Sequence, residues 1–247
     1  MKLSRFVMLS TALFATSTMA AELHLYSGAG LKDAVEPIVK KFEQDTGNTV
    51  NVEYGGSGQI LARFKATNQG DLFLSGAGSY VDNLPKGAVA QREALVLHIP
   101  VMAVRKDKAE GIHSLEDLAN SNLRIGIGDP KAMALGKGAE AMFAASGVGD
   151  KLEQKVVVRA GTVKQLMLYL LNGDVDAAVV GRAGAFKAKQ KLDIIPTPKG
   201  IGEEQVTLAE LATSKHPKEA KALFEAFTSK AGRGEFEAKG FLPLEGK

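Results

Sequence analysis

The sequence predicts an α/β protein of two lobes, each lobe a mixed, mostly parallel sheet flanked by helices. Three observations lead there. Short apolar strands alternate with amphipathic helical patterns nearly throughout, as in parallel sheets with helical crossovers. A strand that runs into a glycine-rich, serine-bearing turn and then a helix occurs twice near the start. Two punctuated stretches, at Pro100 and from Pro196 to Gly202, offer places for the chain to leave one module and return to it.

The first twenty residues read as an address. Met1 to Arg5 is basic, Phe6 to Phe14 is apolar, and Thr18-Met19-Ala20 is a small-x-small cleavage site before Ala21. A membrane span needs about 20 apolar residues, so this shorter run is expected to be a cleaved signal peptide over 1–20. With it go Lys2 and Arg5, and the formal charge of +3 over 247 residues then says little. No basic stripe points to nucleic acid. The chain has no cysteine, which excludes disulfides, thiolate metal sites and a lipid-anchored cysteine. Export and a Gram-negative style leader suggest the periplasm.

Leu23 to Tyr26 is the first strand, Ser27-Gly28-Ala29-Gly30 its turn, and a helix follows through Phe42. Val50 to Tyr54 is the second strand, Gly55-Gly56-Ser57-Gly58 its turn, and Gln59 to Ala66 its helix. Glycine lets backbone approach a bound group, and a helix start offers N–H donors without internal partners. Two such starts on one sheet suit an anion. Asp71 to Leu74 is a short strand ending at a third small-residue turn, Ser75 to Gly78, read as structural. Ala94 to Val104 is apolar and broken by Pro100, which marks an edge or a crossing.

Beyond Pro100, Ser114 to Asp117 resembles a capping box with Asp in place of Glu. Leu123 to Gly128 is a strand, Asp129-Pro130 a turn whose carboxylate accepts from nearby backbone, and Ala134 to Ala145 a helix. Val156 to Val158 is a strand, and Gly161-Thr162 opens a helix over 163–171. Val175 to Val180 is a buried strand that ends in Gly181-Arg182-Ala183-Gly184. Leu192 to Thr197 is a last strand, followed by a linker with Pro196, Pro198, Gly200 and Gly202. Pro217 to Phe227 and Glu235 to Gly240 are helical and return to the first module. The expected division is therefore 21–100 with 203–247 as one lobe and 101–202 as the other. A cleft between them would hold a small ligand and close by hinge rotation at the crossings.

Other chemistry fails on inspection. Gly28-Ala29-Gly30 and Gly126-Ile127-Gly128 lack the last glycine of a dinucleotide fingerprint, and Gly55 to Gln59 misses the final glycine of a nucleophile elbow. His24, His98, His113 and His216 show no metal spacing. Glu203-Glu204 and Glu116-Asp117 read as solvated pairs, and Lys187 to Lys191 as a solvent face. No cofactor, metal or nucleic acid is expected. A secreted hydrolase with Ser57 as nucleophile remains an alternative, provided that a histidine base and an acid stand beside it.

Leu31 to Ala34, Phe42 to Gly47, Gly56-Ser57-Gly58, Gly70 to Ser75, Gly128-Asp129-Pro130 and Lys239-Gly240-Phe241 occur in the order seen in periplasmic oxyanion-binding proteins of ABC importers. The chain most resembles the molybdate/tungstate-binding family. That resemblance implies a type II periplasmic binding protein fold, no catalysis, a monomer that meets a membrane ABC permease, and a dianion held by hydroxyls and helix-start amides. It places contacts at Gly30, Ser57, Leu135, Val163 and Gly181, with Ser27 as the nearest hydroxyl to the first turn and Gly58 beside Ser57. Leu135 and Val163 would act through backbone N–H. Two departures from the family pattern stand out: Gly30 replaces its first-turn serine, and Gly181, followed by Arg182, replaces a tyrosine. Arg182 is either a solvated surface arginine or a cleft cation, and a guanidinium would suit a carboxylate, phosphate or sulfonate. For Ser57, a plain N-cap and a ligand contact share one geometry.

Overall fold

The computed structural model describes residues 20–195 and 200–244. The expected signal peptide lies outside them except for Ala20, as do Pro196, Thr197 and Pro198 of the expected strand end and linker. The strands are β1 (Glu22–Gly28), β2 (Thr49–Gly55), β3 (Leu72–Ser75), β4 (Val89–His98), β5 (Pro100–Arg105), β6 (Ile125–Gly128), β7 (Val156–Ala160), β8 (Ala177–Gly181), β9 (Leu192–Ile195) and β10 (Glu204–Leu211). The helices are α1 (Lys32–Thr46), α2 (Ser57–Thr67), α3 (Gly78–Asp82), α4 (Leu115–Asn120), α5 (Ala134–Ala145), α6 (Gly149–Glu153), α7 (Val163–Asn172), α8 (Arg182–Lys187), α9 (Pro217–Thr228) and α10 (Lys230–Ala238).

Two sheets result, ordered β2-β1-β3-β10-β4 and β7-β6-β8-β5-β9. Both are mixed. In the first, β1 pairs parallel with β2 and β3, while β10 runs antiparallel to β3 and β4. In the second, β6 pairs parallel with β7 and β8, while β5 runs antiparallel to β8 and β9. The antiparallel share is larger than strand–helix alternation alone suggests. Its source is β10 and β5, the strands that enter each sheet after a crossing and pair antiparallel with both of their neighbours.

The interior strands of each sheet are buried on both faces and read as apolar runs, while β2, β4 and β7 are partly exposed. In β1, Leu23 and Leu25 pack with Val35, Ile38 and Phe42 of α1 and with Phe227 and Phe236 of the C-terminal helices. Tyr26 points the opposite way, into Ile60 and Phe64 of α2 and Phe73 of β3. The two-residue period of a strand produces this division. In the other sheet, Met102 and Val104 face Ile125, Ala139 and Phe143, whereas Val101 and Ala103 face Leu166, Leu170 and Val180. Helix α1 stops at Gly47, whose φ of +73° suits glycine and whose N–H caps the Glu43 carbonyl.

The return strand β10 is absent from the sequence reading, which passes from linker to C-terminal helices. It lies at the interior of the first sheet, with Val206, Leu208 and Ala209 fully buried. At the forward crossing only Ile99 separates β4 from β5, and Pro100 opens β5 opposite Gly181. At the return, Gly202 has φ +65°, and a Cβ there would stand 2.8 Å from the Gly138 carbonyl and 3.0 Å from Pro100 Cγ. The two crossings therefore pack against one another.

A bulge in β4 interrupts its ladder with β10, whose partners step from Ala94 to Val96. Arg233 of α10 fills the gap, donating to the Ala94 carbonyl at 2.9 Å and the Leu95 carbonyl at 2.6 Å and pairing with Glu93. Replacing Arg233 by Ala removes these charge-assisted bonds. Urea unfolding should then show a loss of about 1.5–3 kcal/mol with an unchanged slope.

Candidate functional site

Strands β1, β2, β6 and β7 end where the two lobes meet, and the turns after them open helices against the opposite lobe. Between them lies a cavity of about 20 Å³. Gly30, Ser57, Leu135 and Val163 all line it, as the sequence reading expects. Ser57 is the first residue of α2, Leu135 the second of α5 and Val163 the first of α7, so their amides have no acceptor within their own helices. No other acceptor meets these three amides among the described residues. No carboxylate lines the cavity either.

The serines of the three small-residue turns differ. Ser75 Oγ accepts from the Ala77 amide at 3.2 Å, in keeping with a structural role. Ser27 is fully buried within β1, its hydroxyl turned to the Gly28 carbonyl at 3.4 Å, and it does not line the cavity. The expectation for Ser27 fails because β1 continues through it, paired with Tyr54 and Leu74, and only the following glycines reach the cleft. Ser57 lines the cavity, and its hydroxyl has no hydrogen-bond partner among the described residues. The cap of α2 comes from Gln59, whose Oε1 accepts from the Gly56 amide at 2.9 Å. The plain N-cap role for the Ser57 hydroxyl is thereby removed.

Gly58 corrects a second expectation. Its amide donates to the Ala132 carbonyl at 2.9 Å, so it ties lobe to lobe and is spent. A Cβ at Gly58 would stand 1.9 Å from the Lys131 carbonyl oxygen, and one at Gly56 would stand 2.2 Å from that of Ala132. The turn is glycine-rich so that backbone can meet backbone across the seam. Elsewhere along the seam, Tyr80 donates to the Pro130 carbonyl at 3.0 Å, and burial pushes its phenol up to about 12, keeping it a donor. Lys137 reaches Ser79 at 3.2 Å and sits 4.6 Å from the Tyr80 ring centre. Lys187 pairs with Asp33 at 2.5 Å, so this lysine serves the seam as well as the solvent face.

Gly181 and Arg182 line an adjoining cavity of about 40 Å³, together with Gly30, His98 and Val163, which belong to both. The Arg182 amide donates to the Ile99 carbonyl at 2.9 Å, and its guanidinium donates to the Gly240 carbonyl at 3.2 Å and lies 5.9 Å from the Phe186 ring centre. Arg182 is half-buried, lines this cavity and joins the second lobe to the C-terminal turn. Glu204, expected to be solvated, is half-buried, and burial raises its carboxyl. Asp117 is likewise a cap, accepting from the Ser114 hydroxyl at 2.7 Å and the His113 amide at 3.0 Å. Asp129 accepts from the Lys131 amide at 2.8 Å, as expected.

His98 is the site residue that the sequence reading misses. It is the last residue of β4, is buried, and lies where the two cavities meet. Its Nδ1 donates to the Gly76 carbonyl at 3.1 Å, and burial pushes the imidazole below its usual value. Gly76 and Gly181 make room for the ring: a Cβ on Gly76 would stand 3.0 Å from Nδ1, and one on Gly181 would stand 3.1 Å from Nε2.

Comparison with known proteins fits this geometry. The profile of the bacterial extracellular solute-binding proteins matches residues 23–242. The chain belongs to that family. A Haemophilus influenzae protein, provisionally named a binding protein, is 59% identical over 93% of this chain and 94% of its own. YvgL of Bacillus subtilis, provisionally named an ABC transporter substrate-binding lipoprotein, is 29% identical over 89% of this chain and 85% of its own. The Azotobacter vinelandii periplasmic molybdate-binding protein shares the fold with a TM-score of 0.76 at 20% identity, covering 90% of this chain and 100% of that one. Others of the fold were solved bound to iron or fructose 6-phosphate, or are named for sulfate. The fold is that of type II periplasmic binding proteins, and the family is solute-binding and not catalytic. The hydrolase alternative falls with it, since His98 Nδ1 bonds a carbonyl and no acid lines the Ser57 cavity. No described helix is long and apolar enough to cross a membrane.

The seam carries its own prediction. Gly58→Ala places a methyl group against the Lys131 carbonyl and holds the lobes apart. Small-angle X-ray scattering should report a larger radius of gyration than wild type, with unchanged far-UV circular dichroism.

Proposed function

We propose that the protein is the exported, periplasmic receptor of an ABC importer, a monomer that captures a small oxyanion between its lobes and presents it to a membrane permease. One observation carries the reading. Unpaired amides of Ser57, Leu135 and Val163, together with the Ser57 hydroxyl, open on one small cavity that no carboxylate lines. Each helix start favours negative charge, and a hydrogen bond to a charged group contributes roughly 1.5–3 kcal/mol. Micromolar capture needs about 8 kcal/mol, within reach of four or five such donors before the cost of dehydrating the ion. Donors from both lobes also give the ligand a preference for the closed form, the requirement for it to drive closure. The two crossings packed side by side at Pro100 and Gly202 form a natural hinge. The molybdate/tungstate resemblance and the anion-binding relatives of this fold support the same class of ligand.

Isothermal titration of the processed chain with phosphate, sulfate, molybdate, tungstate and small carboxylates tests the reading. At least one oxyanion should bind, and Ser57→Ala should weaken it roughly ten- to hundredfold, the value of one charge-assisted bond. Absence of binding by every ion in the panel would overturn the proposal.

A further inference from the structure

Three aspects of His98 are unexplained by simple anion capture. First, its tautomer is set. The Gly76 carbonyl can only accept, so the neutral ring carries its proton on Nδ1 and leaves a lone pair on Nε2. Second, Nε2 is uncommitted: the bond from Nδ1 to Gly76 is the only hydrogen bond of the ring among the described residues. Third, its surroundings are cleared for it. Nε2 faces Gly181, which has no side chain, with Leu135 Cδ1 3.6 Å from where a Gly181 Cβ would stand. His98 and Val163 line both the cavity beside Gly181 and the one on which the helix-start amides open, and a pure anion receptor has no use for a bare acceptor there, because a lone pair repels an oxygen without hydrogen.

From this arrangement, and resting on the oxyanion reading above, we infer that His98 Nε2 accepts a hydrogen bond from the ligand, so that the site selects a tetrahedral oxyanion that keeps one O–H. At neutral pH that class comprises hydrogen phosphate and hydrogen arsenate, and excludes sulfate, molybdate and tungstate, which carry no hydrogen. The amides and the Ser57 hydroxyl take the charged oxygens, and His98 takes the protonated one. The imidazolium alternative, with Nε2–H as another donor, is disfavoured by the surroundings. Burial opposes the cation, Arg182 shares the adjoining cavity, and no carboxylate lines either one. Glu204, opposite His98 on the β4–β10 ladder, is the nearest acid in register; Lys137 favours its charged form, and its charge acts on the Tyr80 phenol.

The test is calorimetric titration of the processed wild-type chain at pH 7.5 with inorganic phosphate, arsenate, sulfate and molybdate, each in two buffers of different ionisation enthalpy. Phosphate and arsenate should bind at least about tenfold tighter than sulfate and molybdate, the cost of an unmet buried acceptor, with no proton taken up. His98→Gln offers an amide that can turn either way, and should bring that ratio close to one. Sulfate or molybdate binding as tightly as phosphate would overturn the inference and leave the oxyanion reading standing. Proton uptake on binding sulfate, which brings no proton of its own, would overturn it as well, by making Nε2 a donor. Absence of binding by any ion would sink both. If His98→Gln does not fold, the wild-type ratio and the His98 Nε2 nitrogen-15 shift, acceptor-like or protonated, decide the matter.

Discussion

The close approach of backbone to backbone at the α2 turn is the constraint on which the rest depends. Gly56 and Gly58 meet the carbonyls of Ala132 and Lys131 at distances no side chain would allow. That approach brings the start of α2 alongside those of α5 and α7, which belong to the other sheet. A helix start alone is a weak anion site, because water competes for its amides. Three starts closing around one small space exclude most of that water and strengthen every remaining interaction. The hydrophobic cores matter here mainly by rigidity: close packing on both faces of the interior strands holds each lobe's helix starts in place.

Electrostatics at the site are governed by restraint. Charged groups are numerous along the seam, as in the Lys187–Asp33 and Lys137–Tyr80 contacts, but they stand outside the cavity. Arg182 is tied to the Gly240 carbonyl at its rim. A neutral, dipole-lined interior spares the protein the cost of burying a bare charge. His98 follows the same logic as a buried ring, with one nitrogen spent on the backbone and the other facing Gly181.

Much of this was legible in the sequence, and the reasons differ by element. Helices α5 and α7 announce themselves through a periodic apolar face and a distinct start, so Leu135 and Val163 could be placed at N-terminal positions. Ser57 stands out because three glycines around it imply a close approach. Strand β10 was hidden because a buried interior strand shows no alternation, and a proline- and glycine-marked stretch precedes it. Ser27 and Gly58 show the limit of local pattern. Both sit in the right turn, but one is enclosed by its strand neighbours and the other spends its amide on Ala132. His98 carried no signal at all, since it lies at the end of an apolar run without any motif around it.

What the sequence alone determined was the alternation of strands and helices, the positions of the principal helix starts and the two places where the chain changes sheets. These are set by local periodicity and by the backbone limits of glycine and proline. Only the tertiary structure decided which donors are free, which are spent on the opposite lobe, and that a histidine from β4 stands between two glycines from separate turns. Such facts depend on contacts between residues far apart in the chain, and hydrogen-bond partnership is exclusive: an amide given to Ala132 cannot also be given to a ligand.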